Sequence, residues 1–178
     1  MSIARLSETS YIVLALIERV QPATPYDLKR LAERSTIDFW AVPHAQLYSE
    51  CARLAAGQLL TEEREEAGRR RRFYSLTDLG RRALQDWLEA PIDALEEVRD
   101  LGILKLFFGA DPALLARTLL PMHEERLQRY EGFAELRDRA RAAGTEIPRG
   151  AWLALQAGIG HEREYVRFWR DVLEGDTP

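Results

Sequence analysis

Apolar positions along the first ninety residues recur at helical spacing three times, alternate briefly, and then return to helical spacing. Ser7 can cap a helix whose body, Tyr11 to Ile17, is apolar nearly all round and so needs neighbours on more than one side. Thr24 followed by Pro25 starts a second, short helix with a Leu28, Leu31, Ala32 stripe that ends near Ser35. Asp38 to Val42 leads into a third helix opening at Pro43, where Leu47, Cys51 and Leu54 repeat at i, i+4, i+7. Its opposite face is small or polar: Ala45, Ser49, Ala52 and Ala56, flanked by Gln46 and Arg53. After Gly57 come two short extended runs around a turn at Gly68, followed by Arg69, Arg70, Arg71 and Arg72. Thr77 then caps a fourth helix, with Leu79, Ala83, Leu84, Trp87 and Leu88, that stops before Pro91.

The remainder shows no strand-like alternation. Leu101 to Phe108 closes a helix at Gly109, Asp111-Pro112 starts another that Gly144 breaks, and a last helix runs from about Pro148 towards Leu173. A single helix over 113–142 would reach ~45 Å at ~1.5 Å per residue. That is too long for a compact lobe of 88 residues, so the arm is expected to pack on something outside its own monomer, with a kink at Pro121. The expected domains are 1–90 and 91–178. Leu104, Phe107, Phe108, Trp152, Leu155 and Trp169 supply an apolar surface for a two-fold partner in the second.

Three helices, an arginine-tipped hairpin and a fourth helix give the order of a winged helix-turn-helix. The expected fold is mainly α: an N-terminal winged helix-turn-helix with a two-stranded wing, followed by an α-helical C-terminal dimerisation domain. In such a unit the third helix reads a major groove while the wing touches backbone or minor groove. The net charge of −4 argues against a generally basic binder, but its distribution matters more. Residues 1–90 hold 13 Lys and Arg against 13 Asp and Glu, and residues 91–178 hold 12 against 16. Binding to double-stranded DNA must therefore work through a local patch. The candidates for it are His44, Gln46, Tyr48, Ser49 and Arg53 on the helix, and Arg69, Arg70, Arg71 and Arg72 on the wing. Gln suits adenine and Arg suits guanine, and the sequence leaves open which of these residues touches bases.

Enzyme signatures are weak. His123-Glu124 and His161-Glu162 begin like a zinc-protease motif, but Leu127 and Tyr165 stand where the second histidine is needed, so both read as surface or interface pairs. Cys51 lies on the core stripe and reads as a packed thiol; as the single cysteine it also excludes an internal disulfide. With no signal-like or membrane-length apolar run, a cytoplasmic chain needing no cofactor or metal is expected.

Tyr26-Asp27-Leu28, Phe39-Trp40, Gln46-Leu47-Tyr48, Arg53-Leu54, Gly57 and Arg72 to Gly80 together resemble the winged-helix domain of PadR-type transcriptional regulators. Leu104 to Gly109 and Trp152-Leu153, Gly158, Glu162 and Trp169 resemble the helical domain of the longer members. The resemblance implies a homodimer held by C-terminal helices, a pseudo-palindromic operator, usually repression, and release by a small aromatic or other hydrophobic effector. It also gives Tyr48 a double role, ring packed and hydroxyl on a phosphate. Trp40, Trp87, Trp152 and Trp169 read by default as core or dimer interface, with Trp40 or Trp152 the candidate for an effector pocket. Two departures stand out: Ser49 occupies a position where the family commonly has proline, and Glu62, Glu63, Glu65 and Glu66 place acidic charge along the wing. The rival reading is a winged-helix module for protein contacts, an anti-activator that reads no DNA; a small hydrolase is a distant third.

Overall fold

The structure is a computed structural model of the chain that describes residues 5–66, 70–93, 95, 97–145 and 148–175. It divides into two compact units, residues 1–95 and 96–178.

In the first unit α1 (Glu8–Val20) is closed by Ser7, which accepts from the Ser10 amide while Ser10 returns the bond. Thr24 and Asp27 cap α2 (Pro25–Ala32) in the same reciprocal way. After a run of turns comes α3 (His44–Ala56), then β1 (Leu60–Arg64) and β2 (Arg72–Leu76), and α4 (Asp78–Glu89) capped by Thr77. The strands pair antiparallel with Leu60 opposite Leu76 and Arg64 opposite Arg72. Val13, Leu14 and Ile17 of α1 are fully buried against Leu28, Leu47, Cys51 and Leu54. Burial pushes the Cys51 thiol up to about 12, which makes it an inert packing group.

Two long-range ties complete this unit. Ala23 and Tyr74 exchange both backbone hydrogen bonds, at 2.9 and 2.8 Å, so the entry to α2 is sewn to the base of the wing. At Gly80 a Cβ would lie 2.1 Å from the Leu59 carbonyl oxygen. Only glycine lets the first turn of α4 sit on the chain entering β1.

The second unit is helical: α5 (Leu101–Phe107), α6 (Pro112–Ala142) and α7 (Arg149–Glu174). The long arm expected from the sequence exists. Its 31 residues stay helical through Pro121 and span ~46 Å at ~1.5 Å per residue. It does not depend on an outside molecule for all its packing, because α7 doubles back along it. Gly158 sits against the Tyr130 ring, Arg163 bonds Glu131 at 2.8 Å and Arg170 bonds Glu124 at 2.6 Å.

Three expectations need correcting in this unit. Trp169 is fully buried, packed with Ala116, Leu120 and Val166, and offers nothing to a partner. Glu162 is not a surface residue: it is 2% exposed, with His123 Nδ1 at 2.6 Å from one oxygen and Arg126 donating to the other at 3.1 Å. His123 is the other end of that clamp between α6 and α7 and is likewise not a surface group. Leu104, Phe107 and Phe108 are exposed by 52%, 81% and 77%, as a surface awaiting cover would be.

Candidate nucleic-acid interface

The inner stripe of α3 fixes which residues its outer face presents. Gln46, Tyr48 and Ser49 are exposed there. The Ser49 hydroxyl donates back to the Ala45 and Gln46 carbonyls at 3.0 and 3.1 Å, so towards solvent it offers acceptor capacity only. His44, in the first turn, has Nε2 at 3.7 Å from Glu33. Arg53 differs from the others. Its Nε and Nη2 bond the two Glu50 oxygens at 2.9 and 2.6 Å, and Nη2 also donates to Ser10 Oγ on α1 at 2.8 Å. The guanidinium holds the Glu50 carboxyl below the usual carboxylate range. Arg53 thus braces α3 against α1.

The wing carries its own counter-charges. Arg71 makes a two-pronged pair with Glu65, at 3.3 and 3.1 Å, and lies 5.6 Å from the centre of the Phe73 ring. Glu62 accepts from Arg64 at 2.8 Å and from the Tyr74 hydroxyl at 3.1 Å, with Arg72 at 3.7 Å. The hydrogen bonds from Arg71 and Arg64 respectively hold the Glu65 and Glu62 carboxyls below their ordinary range. Arg70, at φ 49°, is in no ion pair among the described residues, and Arg69 lies outside the described residues. The start of α2, the outer face of α3 and the wing meet on one groove of about 500 Å³, lined by Tyr26, Tyr48, Ser49, Arg70, Arg71 and Arg72. Tyr26, 55% exposed, was absent from the candidates read off the sequence. Its position directly after the Thr24-Pro25 helix start was the available signal.

Residues 13–86, from α1 into α4, match the transcriptional regulator PadR-like family. Over that stretch the winged-helix unit is similar to that family. The negative transcriptional regulator PadR of Bacillus subtilis (strain 168) is 25% identical over 172 residues, covering 92% of this chain and 94% of that one. The crystal structure of B. subtilis PadR in complex with operator DNA aligns with a TM-score of 0.79 at 24% identity, over 93% of this chain and 97% of that one. The same protein in complex with p-coumaric acid aligns with a TM-score of 0.72 at 22% identity, over 93% and 96%. At such identities the two structures speak for the fold.

The two tryptophans singled out in this PadR-like chain stand in different units and have different surroundings. Trp40, 46% exposed, borders a cleft of about 220 Å³ together with Tyr11, Thr36, Phe39 and Trp87. Trp152 is half-buried on α7 with the Arg137 guanidinium 4.1 Å from its ring centre, so one face of the indole is already taken. Among the described residues no helix is long and apolar enough to cross a membrane.

Proposed function

We propose that this PadR-like regulator is a homodimeric repressor in the cytoplasm, which binds a pseudo-palindromic operator and is released by a small aromatic or hydrophobic effector. It acts by binding and not by catalysis. The observation that carries the reading is the groove where the exposed face of α3 meets the arginines of the wing. A helix seated in a major groove and a basic hairpin beside it need that arrangement. Along α3 and the wing, Gln46 and Ser49 are the candidates for base contact, with His44, Tyr48, Arg70, Arg71 and Arg72 for phosphate; Tyr26, in the groove, is an added phosphate candidate. Repression follows from the B. subtilis relative's name and an effector from its p-coumaric acid complex. The exposed Leu104, Phe107 and Phe108 supply the dimer surface.

Fluorescence anisotropy with duplex DNA across a salt series tests the reading, on sites enriched from a random pool by the purified protein. Each phosphate contact contributes a slope of about 0.9 in log K against log salt. Enriched sites should carry half-sites about 10 bp apart, or a multiple, since two reading helices meet successive grooves ~34–36 Å apart. No salt-dependent binding to any duplex would favour the protein-contact module. Light scattering on the full chain and on residues 1–95 tests the dimer surface, a dimer and a monomer being expected.

A further inference from the structure

Alternation along the wing puts Leu60, Glu62 and Arg64 of β1 on one face with Leu76, Tyr74 and Arg72 of β2, each opposite its partner in that order. The face runs from core to solvent. Leu60 and Leu76 lie in the core, Tyr74 is buried, the Glu62 side chain is 19% exposed, and Arg64 and Arg72 are exposed. Two arginines directly across a hairpin repel each other, and the carboxylate one step nearer the core faces both. Arg64 Nε bonds Glu62 Oε1 at 2.8 Å, whereas Arg72 stays 3.7 Å from Oε2, beyond hydrogen-bond reach. Oε2 is already taken: the Tyr74 hydroxyl donates to it at 3.1 Å. The phenol is held in place, because the Tyr74 backbone exchanges two hydrogen bonds with Ala23. Burial, and after it the bond to Glu62, push the phenol above its ordinary range, so it remains a donor at neutral pH; Arg72, bonding the same hydroxyl, works the other way.

From this geometry we propose that Tyr74 is a positioning residue for DNA binding: its hydroxyl occupies the Glu62 oxygen that faces Arg72 and so keeps that guanidinium available to a phosphate. The inference rests on the wing contact proposed above and deepens it by naming the group that decides how much of the Arg72 charge the wing can offer. Arg71 shows the alternative. Its guanidinium has closed on Glu65 in a two-pronged pair, with bonds at 3.3 and 3.1 Å, and gives that pair up before it can turn to DNA. Arg72 is kept out of such a pair because Arg64 and the phenol hold one Glu62 oxygen each. Without the hydroxyl, Oε2 turns to Arg72 and the pair closes to hydrogen-bond distance. The charges then compensate inside the wing, and the counterion that an Arg72 contact would release from DNA stays where it is.

Fluorescence anisotropy on the full chain, with enriched and scrambled duplexes in a salt series, tests this. Tyr74→Phe removes one oxygen from a buried ring; it should lower the slope of log K against log salt by up to about 0.9 and weaken both duplexes up to about eightfold at about 0.1 M salt. Two backgrounds separate positioning from packing. In Arg72→Ala the loss of slope is already present, and adding Tyr74→Phe should change neither slope nor affinity. In Glu62→Gln the charge that draws Arg72 is gone while the phenol keeps an acceptor, and adding Tyr74→Phe should again leave both unchanged. A hydroxyl that served only the fold would weaken the wild type and both backgrounds alike, and that result overturns the inference. So does a wild-type slope that Tyr74→Phe leaves unmoved. The wing reading fails separately: a wild-type chain whose duplex binding does not depend on salt sinks the wing contact and the inference with it. A slope lowered by Arg70→Ala but not by Arg72→Ala keeps the wing on DNA and overturns only the role given to Arg72 and Tyr74.

Discussion

Replacing Arg53 by alanine removes a guanidinium that holds two carboxylate oxygens and a hydroxyl at once. Ser10 is fully buried and the Glu50 side chain is only 12% exposed, so the groups left behind are poorly solvated. Ser10 keeps its bonds to Ser7, which limits the loss to the Glu50 pair and one hydroxyl contact. Hydrogen bonds to charged groups contribute ~1.5–3 kcal/mol when buried, and exposed ion pairs ~0.2–1. The Arg53 side chain is 39% exposed, so ~1–2 kcal/mol is the expected cost. In a winged-helix unit of this size that lowers its unfolding midpoint by about 5–15 °C.

Circular dichroism melts of wild type, Arg53→Ala, Glu50→Gln and the double variant at neutral pH give the coupling energy, which should exceed ~0.5 kcal/mol for side chains in contact. The pH dependence has a fixed sign. Because Arg53 holds Glu50 below its unfolded value of ~4.3, the pair's contribution is full above that pH and is lost as pH falls through the folded value. The gap between wild type and Arg53→Ala should therefore be constant from about pH 6 to 8 and close below about pH 4. Additive losses, or a gap that persists in acid, refute the brace. If instead the melts coincide and preference relaxes at one base pair of each half-site, Arg53 reads DNA directly, as its place on the helix wheel suggested.

On the wing, Arg70→Ala should weaken all duplexes alike and lower the salt slope by about 0.9, while Glu65→Gln should tighten them by freeing Arg71; both are read by anisotropy in a salt series. Gly80→Ala forces a Cβ onto the Leu59 carbonyl and should cost more than ~2 kcal/mol; a melt within 2 °C of wild type would mean that α4 can shift freely. Glu162→Leu leaves His123 and Arg126 facing an apolar side chain, and a loss of ~1–3 kcal/mol is expected in urea unfolding of the full chain, reduced because Arg126 is partly solvated.

Most of what was legible in the sequence is local. The caps at Ser7, Thr24 and Thr77 and the Leu47, Cys51, Leu54 stripe involve residues within two turns of one another, and periodicity reports such relations directly. What escaped depends on distant partners. Arg53 looked outward on the helix wheel because nothing near it in sequence announces Ser10, 43 residues earlier. His123 and Glu162 read as members of two unrelated surface or interface pairs until α7 folds back and brings them to 2.6 Å. Trp169 looked like interface because Ala116 and Leu120, which it packs with, come from another helix. At the groove, the residue types were legible but the pairing of Arg71 with Glu65 and of Arg72 with Glu62 across the hairpin was not.

That pairing has a kinetic consequence. A basic hairpin with free guanidiniums grips any phosphate it meets, and on a chromosome nearly all phosphates belong to the wrong place. Under the proposed wing contact an incoming phosphate has to displace a carboxylate from Arg71, and Glu62 competes for Arg72, so the exchange gains little until the rest of the groove also fits. Fewer condensed cations are set free by a casual encounter, and the hold on arbitrary sequence is correspondingly loose. On that reading the acidic residues of the wing would shorten each dwell on irrelevant DNA and leave more of the search time for travel between sites, the cost being recovered only where α3 finds its complement.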